Sequence, residues 1–481
     1  MSDHRSFFID GKWQRPASTQ TYEVINPSTE TPCATISLGN QADTDRAVTA
    51  ARKAFPAWAN TPGKQRCELV EGILAQYERR HEELAEAIST EMGAPIDMAR
   101  KAQATCLPWH LKNYLRAFAA VEWEKPLGKH APDTRIMQEP IGVAALITPW
   151  NWPINQIALK AIAALLSGCT SVLKPSEEAP LSAMLFAEFC HDAGVPAGVF
   201  NLVNGNGSGV GQQLSLHPDV DMVSFTGSTR AGQAILQAST GSLKRVALEL
   251  GGKGANLVFA DAAEKSIQRG IRQCFSNSGQ SCNAPTRMLV EQKRYDEVVH
   301  MAREIAQNTR CGAAHLPGKH LGPVVSQRQW DRVQEFIQSG VQEGATLVAG
   351  GLGRPDELDT GYFVRPTVFA DVRPGMRIER EEIFGPVLCI LPFSDEEEAL
   401  QIANDSPYGL THYVQSADEA RCQRIARRLR SGMVEINGRG LGAGAFFGGV
   451  KASGRAREGG HWGIEEFLES KAVGGWMAET E

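Results

Sequence analysis

The chain has 481 residues, 42% hydrophobic and 22% charged, with a formal net charge of -6. Such a length exceeds one core, so two large domains are expected, and an acidic chain with no basic run interleaved with aromatics excludes a nucleic-acid surface. The most apolar region, Ile141 to Leu173, is interrupted by Pro149, Asn151, Pro153 and Lys160, so no uncharged run reaches the ~18 residues of a membrane span.

FFIDGKW at Phe7 to Trp13 has the alternation and turn of a short hairpin, with INPST, Ile25 to Thr29, as the loop after it. Helical spacing runs from Ala42 to Ile88, with Asp43 or Thr44 as N-cap and Pro62-Gly63 breaking it in two. A third helix is expected over Met98 to Ala119. Val121 to Gln138 reads as an extended hairpin leaving the domain. From Gly142 to Lys253 the apolar runs VAALI, TSVLK, VFNLV, MVSF and VALEL alternate with helical stretches at Ile154 to Ser167, Pro180 to Ala193, Val210 to Ser215 and Ala231 to Ser239. That alternation predicts a parallel doubly wound sheet with a ligand, usually a nucleotide, at the carboxyl ends of its strands.

After Gly254 the pattern restarts: NLVF, a helix Ala263 to Ser276, the strand MLVEQ, and helices Tyr295 to Asn308 and Arg328 to Ser339. TLVAGG, YFVRPTVFADV and VLCILPF are further strands of a second α/β domain. The ten cysteines stand singly, with no C-x-x-C pair and no histidine cluster at metal-ligand spacing, so neither a disulfide framework nor a metal site is expected. The N-terminal MSDHRSFFIDGKW has no apolar core of a leader, and a cytoplasmic location is expected.

Several stretches carry chemistry. GNGSGVG, Gly205 to Gly211, fails the dinucleotide fingerprint because Val210 stands where a third glycine belongs. FTGSTRAG, Phe225 to Gly232, is better placed, following a strand and opening a helix whose first amides can hold a phosphate. In LKPSE, Leu173 to Glu177, a strand end presents a cation and a carboxylate; the carboxylate can accept both ribose hydroxyls, and Ser176 can equally cap a helix. FSNSGQSCNAPTR places Cys282 among small polar neighbours, where a thiol stays reachable; taken alone, a buried structural cysteine is the commoner case. VALELGGKGAN puts Glu249 at the end of a buried strand, which is costly unless the acid has a task. ITPWNWP sets Asn151 between two tryptophans, where its amide can donate to an oxyanion. EEIFGPV, Glu381 to Val387, makes a set of four with the stretches around Cys282, Glu249 and Asn151.

These four stretches in this order resemble the aldehyde dehydrogenase superfamily, over nearly the whole chain. The resemblance implies an α/β fold of two doubly wound domains, a nucleotide-binding domain over 1–120 and 142–253 and a catalytic domain over 254–450. Segments 121–141 and 466–481 would join subunits of a homodimer or homotetramer. It implies NAD as cofactor, contacted by Ile147, Thr148, Pro149, Trp150, Lys174, Ser176, Glu177, Gly207, Gly211, Phe225, Thr226, Gly227, Ser228, Leu250, Glu382 and Phe384, with weaker contacts from Gln329 and Arg332. A solvated helix face explains the last two almost as well. Tunnel positions Trp152, Gln156, Leu159, Ser281, Asn283 and Phe447 imply a medium-sized aliphatic or aromatic aldehyde. Phe446 stands where the family usually has proline, and Arg455-Ala456 replaces a pair containing glycine.

The expected reaction is NAD-dependent oxidation of an aldehyde to the acid, with Cys282 as nucleophile, Asn151 and the Cys282 amide holding the oxyanion, and Glu249 as the base that activates water. Glu249 disfavours an acylating relative that passes the acyl group to coenzyme A. Lys160 resembles a supporting lysine of the family; a snorkelling side chain is the plainer reading. Arg439, in NGRGLGAG, is a candidate clamp for a substrate carboxylate, against a plain solvated arginine. A catalytically silent structural protein on the same fold and a cysteine esterase are the rival functions.

Overall fold

The computed structural model describes residues 2–477. The last part of the 466–481 segment therefore lies outside the described residues.

Two seven-stranded sheets organise the chain. The first has the order Arg245–Glu249, Met222–Thr226, Val143–Ile147, Thr170–Lys174, Phe200–Leu202, Phe7–Ile9 and Lys12–Gln14. Its first five strands are parallel, and the expected hairpin adds antiparallel at one edge. Val143–Ile147, Thr170–Lys174 and Met222–Thr226 are buried at every position, because helices cover both faces, and this is why they read as unbroken apolar runs. One face packs under helices Gly63–Met92, Cys106–Phe118, Pro153–Ser167 and Leu181–Asp192, the other under Gln41–Ala59 and Thr229–Ser239. From Val143–Ile147 the chain winds outward first one way and then the other, so its order reverses between that strand and Met222–Thr226. A ligand crevice is expected at the carboxyl ends there.

The second sheet runs Thr346–Ala349, Thr367–Ala370, Val387–Phe393, Arg287–Glu291, Ala255–Val258, Thr411–Gln415 and Met433–Ile436, parallel except for its first strand. The fully buried pair Arg287 and Glu379, 2.7 Å apart, ties it together, with the guanidinium also donating to the carbonyls of Lys253, Ile402 and Ala403. A three-stranded sheet of Glu124–Gly128, Ala131–Pro140 and Leu468–Val473 stands apart from both. Another joins Ser2–His4, Thr31–Ser37 and Thr21–Asn26.

Several local expectations are corrected. The first long helix is capped by Asn40, and Asp43 is its N3 residue in a reciprocal capping box. The single helix expected over Met98 to Ala119 is broken by a wide turn at Ala99–Gln103, and its regular part is Cys106–Phe118. Ser176 does not cap a helix, because the helix begins only at Leu181. Its first amides are met from a distance by Glu91, which accepts from Leu181 and from Ser182 at 3.1 Å. Strands Thr411–Gln415 and Met433–Ile436 complete the second sheet around the site.

Candidate active site

Cys282 follows a strained stretch of backbone. Helix Glu264–Phe275 ends in a tight turn where Asn277, Ser278 and Gly279 all take left-handed conformations, at φ 53°, 55° and 72°. Non-glycine residues persist there only when their surroundings hold them. Here they do: Ser278 Oγ donates to the Gly322 carbonyl at 2.6 Å, and Asn277 Nδ2 donates to the carbonyls of Asn151 and Gln280 at 3.0 and 3.2 Å. A Cβ on Gly279 would meet the Gly385 carbonyl oxygen at 2.0 Å, so the turn is pressed against the Glu381–Val387 loop.

The same network fixes the Asn151 amide. Asn151 Nδ2 donates one proton to the Gln280 carbonyl at 3.0 Å, which leaves its second proton for a ligand. Gln103 Nε2 donates to the Asn151 carbonyl and to Asn277 Oδ1, both at 3.2 Å, and Gln280 Oε1 accepts from the Val325 amide at 2.9 Å. Gln103, Asn277 and Gln280 were not singled out in the sequence. Two of them lie in the cysteine stretch itself, where polar side chains inside a buried turn were the available signal.

Glu249 ends the edge strand of the first sheet, 2% exposed, and neither carboxylate oxygen has a protein partner. Burial first, and then Glu458, push its pKa well above the ordinary carboxylate range, against the pull of Lys160 and Arg457. Gly448 stands beside it; a Cβ there would come within 3.0 Å of Glu249 Oε1 and 2.2 Å of the Ala456 carbonyl oxygen. Burial, followed by the charges of Glu382 and Glu249, also raises the Cys282 thiol, so the resting residue is protonated and needs a base to ionise.

Lys160 does not snorkel. It is 1% exposed and ion-paired with Glu458, a residue the sequence reading passed over. Glu458 is anchored by reciprocal backbone hydrogen bonds with Phe447, at 2.6 and 2.8 Å.

Cys282 opens onto a cavity of about 510 Å³. Trp152, Gln156, Leu159, Ser281, Asn283 and Phe447 all line it, as do Phe446 and Glu458. Arg439 does not: it is exposed at a turn, and Leu441 and Gly442 form that part of the wall. The Phe446 ring packs edge-on to Trp462 at 5.1 Å and under the Arg457 guanidinium at 4.8 Å, an aromatic wall where the family usually has proline.

The strand ends at the switch point of the first sheet face the Glu381–Val387 loop of the second. Ile147, Lys174, Thr226 and Glu249 are the carboxyl ends of four parallel strands, and the hydroxyls of Thr148 and Thr226 are buried there without a partner. Lys174 is buried, its Nζ 3.4 Å from Glu177 Oε2, and burial lowers its pKa. Gly227 must stay bare, because a Cβ would sit 2.4 Å from the Phe225 ring, while Ser228 caps the helix Thr229–Ser239 through Ala231. Across the crevice, Trp150 and Phe384 meet edge-on at 5.4 Å, and Glu382 Oε1 accepts from the Gly252 amide at 2.8 Å. Burial lifts Glu382 to about 7. Gln329 donates to the Phe384 carbonyl at 2.8 Å and Arg332 to that of Glu382 at 2.9 Å, so these two hold the contact loop in place. Orphaned hydroxyls, a buried cation beside a carboxylate and bare glycines at strand ends are what a dinucleotide needs.

A thiol, a tethered amide and an unpartnered carboxylate meet where the strand ends of a doubly wound sheet face a substrate-sized cavity, the arrangement of a nucleotide-dependent oxidoreductase. The aldehyde dehydrogenase family model matches residues 13–473, and the chain belongs to that family. It is 51% identical over 478 residues, 99% of both chains, to the 3-succinoylsemialdehyde-pyridine dehydrogenase of a Pseudomonas species. Its structure is similar to that of an aldehyde dehydrogenase from Bartonella henselae, at 56% identity and a TM-score of 0.98, covering 98% of this chain and 100% of the other. An aldehyde dehydrogenase C mutant from Pseudomonas syringae, solved with NAD+ and octanal, matches at 46% identity and a TM-score of 0.96, covering 99% and 98%.

Proposed function

We propose that the protein oxidises aldehydes to carboxylic acids with NAD as acceptor, Cys282 carrying the acyl group and Glu249 serving as base. The Cys282 thiol gives up its proton to solvent water, and the thiolate forms a bond to the aldehyde carbon. The oxyanion accepts from the free Asn151 amide proton and the Cys282 backbone N–H. Bound NAD supplies the acceptor for the hydride that leaves this carbon. What remains on Cys282 is a thioester; Glu249 deprotonates the water that attacks it, and the acid leaves as the thiol re-forms. Lys160 balances Glu458 beside Glu249 and keeps a second negative charge from locking that base in its protonated form.

In this reading Lys174, Ser176 and Glu177 hold the adenine ribose, Thr226 to Ser228 the pyrophosphate, and Glu382 and Phe384 the nicotinamide side. The carrying observation is Glu249, a buried carboxylate with no partner, set in the same site as a thiol and a tethered amide. A cysteine esterase would leave the crevice and its orphaned hydroxyls without a purpose. NADH absorbance with an aldehyde panel separates the readings: an esterase would hydrolyse esters without nucleotide, and a silent protein would do neither.

The substrate class that fits a cavity of about 510 Å³ is a medium-sized aliphatic or aromatic aldehyde. Octanal in the Pseudomonas syringae relative and the pyridine-bearing semialdehyde named for the Pseudomonas relative fall within it. The exposed three-stranded sheet is the proposed contact of a homodimer or homotetramer, its outer strands presenting unpaired edges. Among the described residues no helix is long and apolar enough to cross a membrane, and the free thiols of all ten cysteines support a cytoplasmic location.

A further inference from the structure

The cavity beyond Cys282 has a wall that neither an alkyl chain nor a carboxylate explains. Helices Cys106–Phe118 and Pro153–Ser167 bring His110, Asn113, Asn155 and Gln156 together on it. The Asn155 Oδ1 carbonyl lies 2.7 Å from His110 Nε2; since a carbonyl can only accept, the imidazole donates through that nitrogen. Asn155 is thereby fixed in orientation, and among the described residues no acceptor meets its NH2 group, which stands in a partly exposed side chain on the wall. On the same wall, Asn113 Nδ2 and Gln156 Oε1 are buried without partners. Burial holds His110 at about 4, so it is neutral at physiological pH. Among the lining residues there is no lysine or arginine, and the one carboxylate, Glu458, is already paired with Lys160.

We propose that Asn155, oriented by His110, is a specificity-determining donor for a neutral hydrogen-bond acceptor, a carbonyl oxygen or ring nitrogen, carried by the substrate beyond its aldehyde group. An aldehyde lacking that acceptor displaces the water at the donor and leaves it unpaired, and one ending in a carboxylate finds no cation. The discrimination therefore runs against both the plain alkanal and the aldehyde acid. This inference rests on the aldehyde dehydrogenase reading and narrows its substrate class.

The test is NADH formation by the full chain with three sets of equal-length substrates: alkanals, oxo-aldehydes with the ketone moved along the chain, and aldehyde acids. A pyridine-bearing aldehyde against its phenyl counterpart asks the same of a ring nitrogen. Wild type is expected to favour one oxo isomer over its alkanal by roughly tenfold or more in kcat/KM, with the acid below both. In the near-isosteric Asn155→Leu that ratio should fall towards one; because it is taken within each protein, a loss of active enzyme does not move it. A ratio that survives in Asn155→Leu, or a wild type that prefers the acid or treats all three alike, would overturn the inference while leaving the dehydrogenase reading intact. NADH from none of them would overturn both.

Discussion

The tasks proposed for Glu249 and Cys282 are separable, because hydride loss needs only the thiolate whereas hydrolysis of the thioester needs the base. Glu249→Gln is expected to give a burst of NADH followed by slow turnover, and Cys282→Ala neither; full steady-state turnover in the Gln variant would remove Glu249 from deacylation. The pH dependence has a definite sign. A base acts only when ionised, and Glu249 is raised above the usual carboxylate range, so kcat should climb as pH rises through that elevated pKa, with the limb absent from the Gln variant's slow phase. Asn151→Ala, which removes one of two oxyanion donors, should cost ~10²–10³ in kcat. Glu177 carries a further expectation: its carboxylate would face the extra phosphate of NADP, so kcat/KM should favour NAD, and Glu177→Gln should narrow the gap. Equal values for the two cofactors in wild type would mean that Glu177 points elsewhere.

At the scale of elements, the helix Leu181–Asp192 depends on a cap from another part of the chain. Two of its first amides bond to Glu91 at the end of Gly63–Met92, and Glu91→Ala leaves them unmet, at about 1–3 kcal/mol of stability by urea unfolding. Burial lifts Glu91 to about 7 from 4.5. Between those values the unfolded chain binds fewer protons than the folded one, so the Glu91 contribution to stability declines as pH rises from 4.5 to 7 and is level above. Urea midpoints on either side of this window should differ more in wild type than in Glu91→Gln. Gly448 marks another junction: a methyl there meets the Ala456 carbonyl and Glu249 at once, so Gly448→Ala should depress turnover through misplacement of Glu249, and intact kcat would contradict this packing.

For the whole molecule, the exposed sheet of Glu124–Gly128, Ala131–Pro140 and Leu468–Val473 is the proposed means of assembly. In it Ala472 pairs with Ile136. The register turns the Ala472 amide to the open edge of the sheet, where proline would remove a donor available to a partner strand. Light scattering of Ala472→Pro should then show a smaller particle than wild type, with secondary structure retained by circular dichroism. An unchanged mass would place the interface elsewhere.

Alternation of short apolar runs with helical periods was enough to specify parallel sheets, because strands covered on both faces must be apolar throughout. Glu249 and Asn151 stood out because each is a polar group in an apolar stretch, whereas Cys282, among small polar neighbours, stood out only through the resemblance of the four stretches taken together. Asn40 rather than Asp43 as the helix cap, and the break at Ala99–Gln103, were not legible, since local propensity leaves such boundaries loose by a few residues. Nor were the partners drawn from far along the chain. Lys160 looks like any lysine on a helix until Glu458, 298 residues away, is folded against it. Arg439 looked like a clamp because glycines surrounded it, yet the turn carries it outward and leaves the wall to Leu441 and Gly442. Composition and spacing determined the sheets and the expectation of a nucleotide at their strand ends, and the resemblance of four stretches to the aldehyde dehydrogenases singled out Cys282, Glu249 and Asn151. The charge state of the base, the orientation of Asn155 and the neutrality of the substrate wall were decided only by tertiary packing, because desolvation and hydrogen-bond pairing depend on which distant groups come to lie within a few ångströms.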